Sequence, residues 1–152
     1  MVVRLIRTGF FLASLAFSAS FLVTPCFAHH VAVVVDKENK TQNIPSAQLV
    51  KIIKGEFKKW PDGKTVVLVL ETTPDILSTL AHLTKMSAAG VKAMIDARKE
   101  SILRLPSDAE VIETVASTPG AIGMVEEHSI SGRVSVVKVD GKLPLEAGYL
   151  PH

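Results

Sequence analysis

Valine-rich apolar runs that alternate with amphipathic helix patterns are the feature that most constrains the fold of this chain. Residues 31–35 are five consecutive apolar residues, and similar runs occur at 65–70 and 121–125. A short continuous run of this kind is typical of a strand covered on both faces. Strands that alternate with helices predict an α/β fold. We therefore expect a three-layer domain with a mixed, mostly parallel sheet of about four to five strands, flanked by helices.

Four helices are predicted between the strands from capping residues and apolar stripes. The expected N-caps are Ser46, Thr73 and Ser87, and Pro106-Ser107 should open the fourth helix. Gly55 should end the first helix, and Pro74 suits the first position of the second, where an N–H has no intrahelical partner. The third helix is predicted over 88–103. A last strand is expected over 134–139, followed by an irregular tail.

The first 28 residues have the organisation of a secretory signal peptide. Arg4 and Arg7 precede an apolar stretch over 9–23, and small residues follow it up to Ala28. A charged start, an apolar middle of about 15 residues and a small-x-small end are typical of a cleavable leader. The predicted cleavage follows Ala28, so residues 29–152 would form a periplasmic or secreted domain.

Two other interpretations of the leader remain open. An uncleaved membrane anchor needs about 20 apolar residues, and serines interrupt this stretch. A lipid anchor at Cys26 would require a small residue before it, where this chain has Pro25.

Charge and cysteine content exclude several classes of function for residues 29–152. Without Arg4 and Arg7, the 17 basic residues become 15, which the 15 acidic residues balance. No basic block with interleaved aromatic residues remains, so nucleic acid is not expected as a partner. The single cysteine, Cys26, lies in the leader, so the core rather than disulfides must stabilise the domain.

No catalytic residue, cofactor or metal site is predicted. The sequence lacks the Gly-x-Ser-x-Gly elbow and the glycine-rich phosphate loops. The five histidines do not stand at a metal-ligand spacing, although His29 and His30 would begin the exported chain and could hold a metal loosely. The acids and base in 126–128 are interpreted as a solvated turn. A non-enzymatic protein is therefore expected.

Four segments, taken in their order along the chain, resemble one family. They are 45–55, Trp-Pro-Asp-Gly-Lys at 60–64, Thr-Pro-Gly-Ala-Ile-Gly-Met-Val at 118–125, and Asp-Gly-Lys at 140–142. Together they resemble the periplasmic phosphate-binding-protein-like domain of the type II solute-binding fold, found in phosphate ABC transporters. The resemblance covers nearly all of residues 29–152. Complete two-lobed binders are roughly twice as long, so the elements of one lobe are expected here.

Residues in these segments are expected to have structural roles. Trp60 should pack over a helix end, and Gly63 completes a turn with it. Gly120 follows a proline in a second turn, and Gly123 should allow two backbones to approach closely.

The resemblance also implies where a ligand would lie. In the family, an oxyanion binds the loop after a strand at the start of a helix, against backbone N–H groups and hydroxyls. The matching segment begins at Glu71, and Thr72 and Thr73 are the predicted ligand contacts. The family's Arg-x-x-Gly-Ser-Gly-Thr pattern is absent. Glu71 and Asp75 add negative charge there, and Pro74 removes one N–H donor.

The function that the resemblance implies is that of an exported solute-binding-like protein. It would bind phosphate or a related small oxyanion, as part of or accessory to an ABC-type uptake or sensing system, with a membrane permease or sensor as partner. The alternative is a periplasmic protein–protein interaction module that kept the fold and lost the ligand. A homodimer could supply a second lobe.

Overall fold

The computed structural model describes residues 30–151, so the predicted leader, its cleavage after Ala28 and His29 lie outside the described residues. The elements in chain order are β1 (Val31–Asp36), β2 (Asn43–Ile44), α1 (Ser46–Lys54), β3 (Val67–Glu71), α2 (Pro74–Thr84), α3 (Ala88–Ala97), β4 (Ile102–Leu105), α4 (Asp108–Ser117), β5 (Ala121–Glu126), β6 (Val134–Val136) and β7 (Lys138–Val139).

Five strands of the described chain form one mixed sheet in the order β4-β3-β5-β1-β6. Strand β3 is parallel to both of its neighbours, β4 and β5. Strand β1 is antiparallel to both of its neighbours, β5 and β6. Four of the five strands therefore run in one direction, which confirms the prediction of a mixed, mostly parallel sheet. Strands β2 and β7 form a small parallel pair of their own.

Helices cover both faces of the sheet, so the domain has three layers. Successive side chains of a strand point to opposite faces. Val33 and Val35 of β1 belong to the larger core, whose helical members come from α1, α2 and α3: Leu49, Ile52, Ile53, Ile76, Leu80, Val91 and Ile95. Val34 belongs to a smaller core beneath α4. All six residues of β1 are buried, as predicted for a strand covered on both faces.

The helix predicted over 88–103 is wrong in its second half. Helix α3 ends at Ala97, and Ile102 begins strand β4 instead. The N–H groups of Ser101 and Ile102 both donate to the Arg98 carbonyl, in a turn that reverses the chain. Ile102 then pairs with Leu68 of β3. Burial against a distant strand outweighs the local helical periodicity, which is the only signal that the sequence offers here.

The strand predicted over 134–139 is divided between two sheets. Val137 separates β6 from β7, and its N–H still donates to the carbonyl of Val33 at 2.9 Å. Beyond it, the chain leaves β1 and pairs with β2.

Ser46 is not the N-cap of α1. Pro45 occupies that position and has no side-chain acceptor, so Ser46 is the first helical residue. Its N–H donates to Oδ1 of Asp140 at 2.9 Å, across 94 residues of sequence. The other two predicted caps are confirmed, since Thr73 accepts the N–H of Ile76 and Ser87 accepts the N–H of Gly90. Ser107, which was expected to open the fourth helix, accepts the N–H of Glu110 as the N-cap of α4.

Candidate functional site

The candidate site lies at the edge of the sheet where the parallel strands β3, β4 and β5 end. Open α/β sheets bind their ligands beside the carboxyl ends of such strands. Thr72 and Thr73 connect β3 to α2 at this edge. Thr72 is exposed, and Oγ1 of Thr73 accepts the N–H of Ile76 at 3.3 Å. The Thr73 carbonyl accepts the N–H of Leu77 at 2.9 Å, so these two first-turn donors of α2 are already used.

Three carboxylates converge at the same edge, and we call them the carboxylate cluster: Glu71 at the end of β3, Asp108 at the start of α4, and Glu126 at the end of β5. The carboxylate of Glu71 accepts the backbone N–H of Asp108. Oδ2 of Asp108 accepts the backbone N–H of Glu126 at 2.9 Å. The chain's own carboxylates therefore occupy backbone donors at the place where the resemblance puts an oxyanion.

The electrostatics of the carboxylate cluster oppose a second anion. Partial burial raises the pKa of Glu71, and the nearby negative charges of Asp108 and Glu126 raise it further, while the Asp108 N–H acts in the opposite direction. The other oxygen of Asp108, Oδ1, is buried and has no hydrogen-bond partner among residues 30–151. Three carboxylates thus lie together at this edge.

Glu126 also lies near an imidazole. Its Oε2 is 3.4 Å from Nδ1 of His128, whose side chain is 69% exposed. This is a solvent-facing contact that becomes an ion pair when His128 is protonated. Within the described part of the chain, no group of three or more histidine, cysteine or acidic side chains is arranged to hold a metal ion.

Trp60, Gly63 and Gly120 lie at the opposite edge of the sheet from Thr72 and Thr73. Trp60 is 4% exposed and packs edge-on against the ring of Phe57, with ring centroids 5.8 Å apart. Its Nε1 donates to the carbonyl of Gly120 at 2.9 Å, and its own carbonyl accepts the N–H of Gly63 at 2.9 Å. These contacts join two turns at that edge.

Asp36 joins the same turns to the end of β1. It is 5% exposed, and its Oδ2 accepts the N–H of Gly120 at 3.3 Å. Gly120 has φ +85°, and a β-carbon there would lie 2.4 Å from the carbonyl oxygen of Thr65. Only glycine fits this position.

Gly123 lies in the middle of β5, directly beneath α4. A β-carbon at this position would lie 2.8 Å from Cγ2 of Val115 and 3.1 Å from Cγ1 of Val111. The absent side chain lets the helix approach the sheet closely.

The sequence does not indicate the contacts of two important residues, Asp108 and Tyr149. Asp108 directly follows a helix cap, where an acidic residue is common and suggests no further role. Tyr149 lies in the tail that was predicted to be irregular. Its hydroxyl accepts the N–H of Val33 at 3.0 Å and donates to the carbonyl of Val137 at 2.7 Å. A lone tyrosine in a proline- and glycine-containing tail was the only signal for this role.

Across residues 30–151, no helix has both the length and the apolar character needed to span a membrane.

No protein-family model and no curated protein matches this sequence. Solved structures do match its fold. An ABC-type phosphate transport receptor from Vibrio cholerae superposes with a TM-score of 0.61 at 16% identity, covering 76% of this chain and 48% of the receptor. A putative phosphate ABC transporter substrate-binding protein from Clostridium perfringens, with bound phosphate, gives 0.61 at 19% identity, covering 76% and 47%. A phosphate-binding protein from Stenotrophomonas maltophilia gives 0.63 at 13% identity, covering 76% and 40%.

These neighbours confirm the resemblance at the level of the fold, which is all that such low identities can show. Two of them are named as a receptor or substrate-binding protein of phosphate ABC transport, and the third is named as a phosphate-binding protein. The chain spans about half of their length or less, as expected for the elements of one lobe.

Proposed function

We propose that this protein is an exported, non-enzymatic module with the fold of one phosphate-receptor lobe, and that it acts through contacts with other envelope proteins rather than by holding phosphate. The observation that carries the proposal is the carboxylate cluster. Glu71 accepts the N–H that starts α4, and Asp108 accepts the N–H of Glu126. Backbone donors that an oxyanion would use are therefore satisfied from within the chain.

The carboxylate cluster would repel a bound phosphate. Two like unit charges 4 Å apart repel by about 1 kcal/mol in bulk water and by about 4 kcal/mol at an effective dielectric constant of about 20, and this partly exposed edge lies nearer the first limit. A phosphate between Thr72 and α4 would meet Glu71, Asp108 and Glu126, and it would have to displace the first of them from its donor. Few protein donors remain to offset that repulsion, since Thr73 already caps α2.

The extent of the fold supports the same conclusion. Tight small-molecule sites bury about 70–90% of the ligand surface. Thr72 is exposed to solvent and Thr73 is only half-buried. A ligand held there by one lobe would keep much of its surface in water.

A second candidate function is weak binding of phosphate or a related oxyanion by Thr72 and Thr73, with a membrane permease or sensor as partner. The observation that favours it is the fold likeness to proteins named for phosphate. The Thr73 hydroxyl uses its oxygen as an acceptor and can still donate its proton.

A thermal-shift panel separates the two candidates. The purified protein is heated in phosphate, sulfate or chloride at matched ionic strength and pH 7. We expect the same melting temperature in all three, because a ligand stabilises the native state only when it binds it. The double variant Thr72→Ala/Thr73→Ala is compared with Ser78→Ala, an exposed hydroxyl further along α2. A phosphate-specific rise that the double variant loses and Ser78→Ala keeps would contradict the proposal.

The interaction itself is tested by chemical crosslinking in intact cells. We expect one discrete species heavier than the monomer, and its components distinguish a permease or sensor subunit from a second copy of this chain. A protein that stays monomeric under conditions that crosslink a known envelope complex would refute the proposed role.

A further inference from the structure

A cavity of about 710 Å³ lies at the amino ends of β3 and β4, at the opposite edge from the carboxylate cluster. Its volume is within the range of about 300–1,000 Å³ that is usual for small-molecule sites. The floor is apolar: Ile52, Val66 and Leu68 are buried, and Phe57 is half-buried. This cavity shares no residue with the predicted ligand contacts.

Arg98 brings a positive charge to the mouth of this cavity. Its side chain is half-buried, and Nη1 donates to the carbonyl of Ile53 near the end of α1. The guanidinium lies directly over Gly55, where a β-carbon would be 2.5 Å from both Cζ and Nη2. Glycine at the end of α1 therefore admits the guanidinium as well as ending the helix.

The guanidinium of Arg98 is partly shielded from water and has no counter-ion among residues 30–151. No carboxylate within the described range forms an ion pair with it, and burial lowers its pKa. A partly desolvated cation is stabilised when an anion binds beside it. Since one N–H of Arg98 donates to the carbonyl of Ile53, most of its five N–H groups remain available to such an anion.

The remaining charges around the mouth also favour an anion. Lys58 and Lys99 are exposed on the rim. Of the two rim acids, Asp96 is paired with Arg104 at 2.9 Å, and Glu100 is exposed to solvent. Positive charge therefore prevails at the mouth while the floor is apolar.

We propose that this cavity binds a small organic carboxylate with an apolar body. The carboxylate pairs with the guanidinium of Arg98, whose planar donors match its two oxygens. The apolar body covers Ile52, Phe57 and Leu68. An inorganic oxyanion would leave that floor exposed to water, and a neutral apolar solute would leave Arg98 without a counter-charge. The inference does not depend on the proposed function, because the two concern opposite edges of the sheet.

The test is a titration of the ¹⁵N-labelled protein with sodium octanoate, followed by backbone amide resonances. We expect shifts at Gly55, Arg98 and Ser101, with Thr72 and Thr73 unmoved. Acetate has the charge without the apolar body, and octanamide has the body without the charge. Each should bind at least tenfold more weakly than octanoate. Equal binding of octanoate and octanamide, shifts spread over the whole surface, or no shift at millimolar octanoate would each overturn the proposal.

Variants identify the anion partner. Arg98→Gln should weaken octanoate binding at least tenfold, whereas Arg133→Gln, on the α4 side of the sheet, should leave it unchanged. Because Arg98 also contacts the end of α1, its substitution could unfold the protein. Lys99→Glu avoids this problem, since Lys99 is exposed, and it should weaken binding severalfold. Unchanged affinity in Lys99→Glu together with a folded Arg98→Gln that still binds octanoate would refute the assignment.

Discussion

The hydroxyl of Tyr149 should contribute more to stability than any other single polar atom of the tail. Tyr149 is 4% exposed, and its hydroxyl bridges the Val33 N–H and the Val137 carbonyl. The N–H of Val137 already donates to the Val33 carbonyl. The tyrosine therefore completes the contact between β1 and the chain after β6. Tyr149→Phe keeps the ring in the core and removes only this bridge.

The magnitude follows from the two backbone groups left behind. A buried donor or acceptor without a partner costs about 1–3 kcal/mol. Loss of both partners should lower the free energy of unfolding by about 2–6 kcal/mol. For a domain of this size, the lower end of that range already corresponds to a fall in melting temperature of roughly 10 °C. No cavity contributes, because the ring remains.

The same bridge predicts a loss of stability in alkali. Burial raises the pKa of Tyr149 from 10.0 to about 12, and the hydrogen bond from Val33 partly opposes this. The unfolded chain therefore ionises first. The stabilisation by the neutral phenol is complete below pH 10 and is lost as the pH rises through 12, at about 1.4 kcal/mol per pH unit in between. Tyr149→Phe should lack this component.

Urea denaturation at pH 7 and at pH 11, followed by circular dichroism, measures both effects. Since the chain has a single tyrosine, absorbance titration of the native protein reports this group alone. Ser117→Ala is the matched control, because that exposed hydroxyl bonds only to carbonyls of its own helix. A Tyr149→Phe protein within about 0.5 kcal/mol of wild type would refute the reasoning, given the cost of unpaired buried groups.

Three further predictions concern other contacts. Glu71→Gln should stabilise the protein at pH 7 by less than about 1 kcal/mol, because it removes one of three like charges in a solvent-screened site. Since the pKa of Glu71 is raised in the folded state, the difference in stability between Glu71→Gln and wild type should vanish below pH 4.5, where Glu71 of the wild type is protonated too. Urea melts at pH 7 and pH 4 test this. Asp140→Ala should cost about 1 kcal/mol, as for loss of an N-cap, and Asp140→Asn should cost less. The Ser46 N–H lowers the pKa of Asp140, so this stabilisation is present above pH 3.8 and lost in acid, which a pH series of thermal melts would show. Gly123→Ala should destabilise by about 1–3 kcal/mol through overpacking, and Val115→Ala should relieve part of that cost in a double-mutant cycle.

The elements that the sequence predicted well are those whose signals are local. The caps Thr73, Ser87 and Ser107 act on N–H groups three residues away. The apolar run of β1 predicts that both faces of this strand are buried, and that prediction does not depend on which elements cover them. The fold class follows from the order of such elements, which is why the sheet and its three layers could be predicted.

The location of the candidate site could be predicted from the sequence, but the contacts among its residues could not. The segment after β3 was identified by resemblance, and its acids were noted as unfavourable for an anion. That Glu71 meets Asp108 and Glu126 depends on three strands ending side by side. No local pattern in the 54 residues between Glu71 and Glu126 indicates that these side chains meet.

By itself, the amino-acid sequence determined the local backbone of this protein: where helices begin, where strands run, and which runs must be buried. These outcomes depend on sterics and hydrogen bonds between close neighbours. The tertiary structure alone decided that Ile102 extends a sheet rather than a helix, that Asp140 caps α1, and that Tyr149 completes the contact at β1. Each of these depends on a partner dozens of residues away, and its free energy exists only once the whole chain is packed.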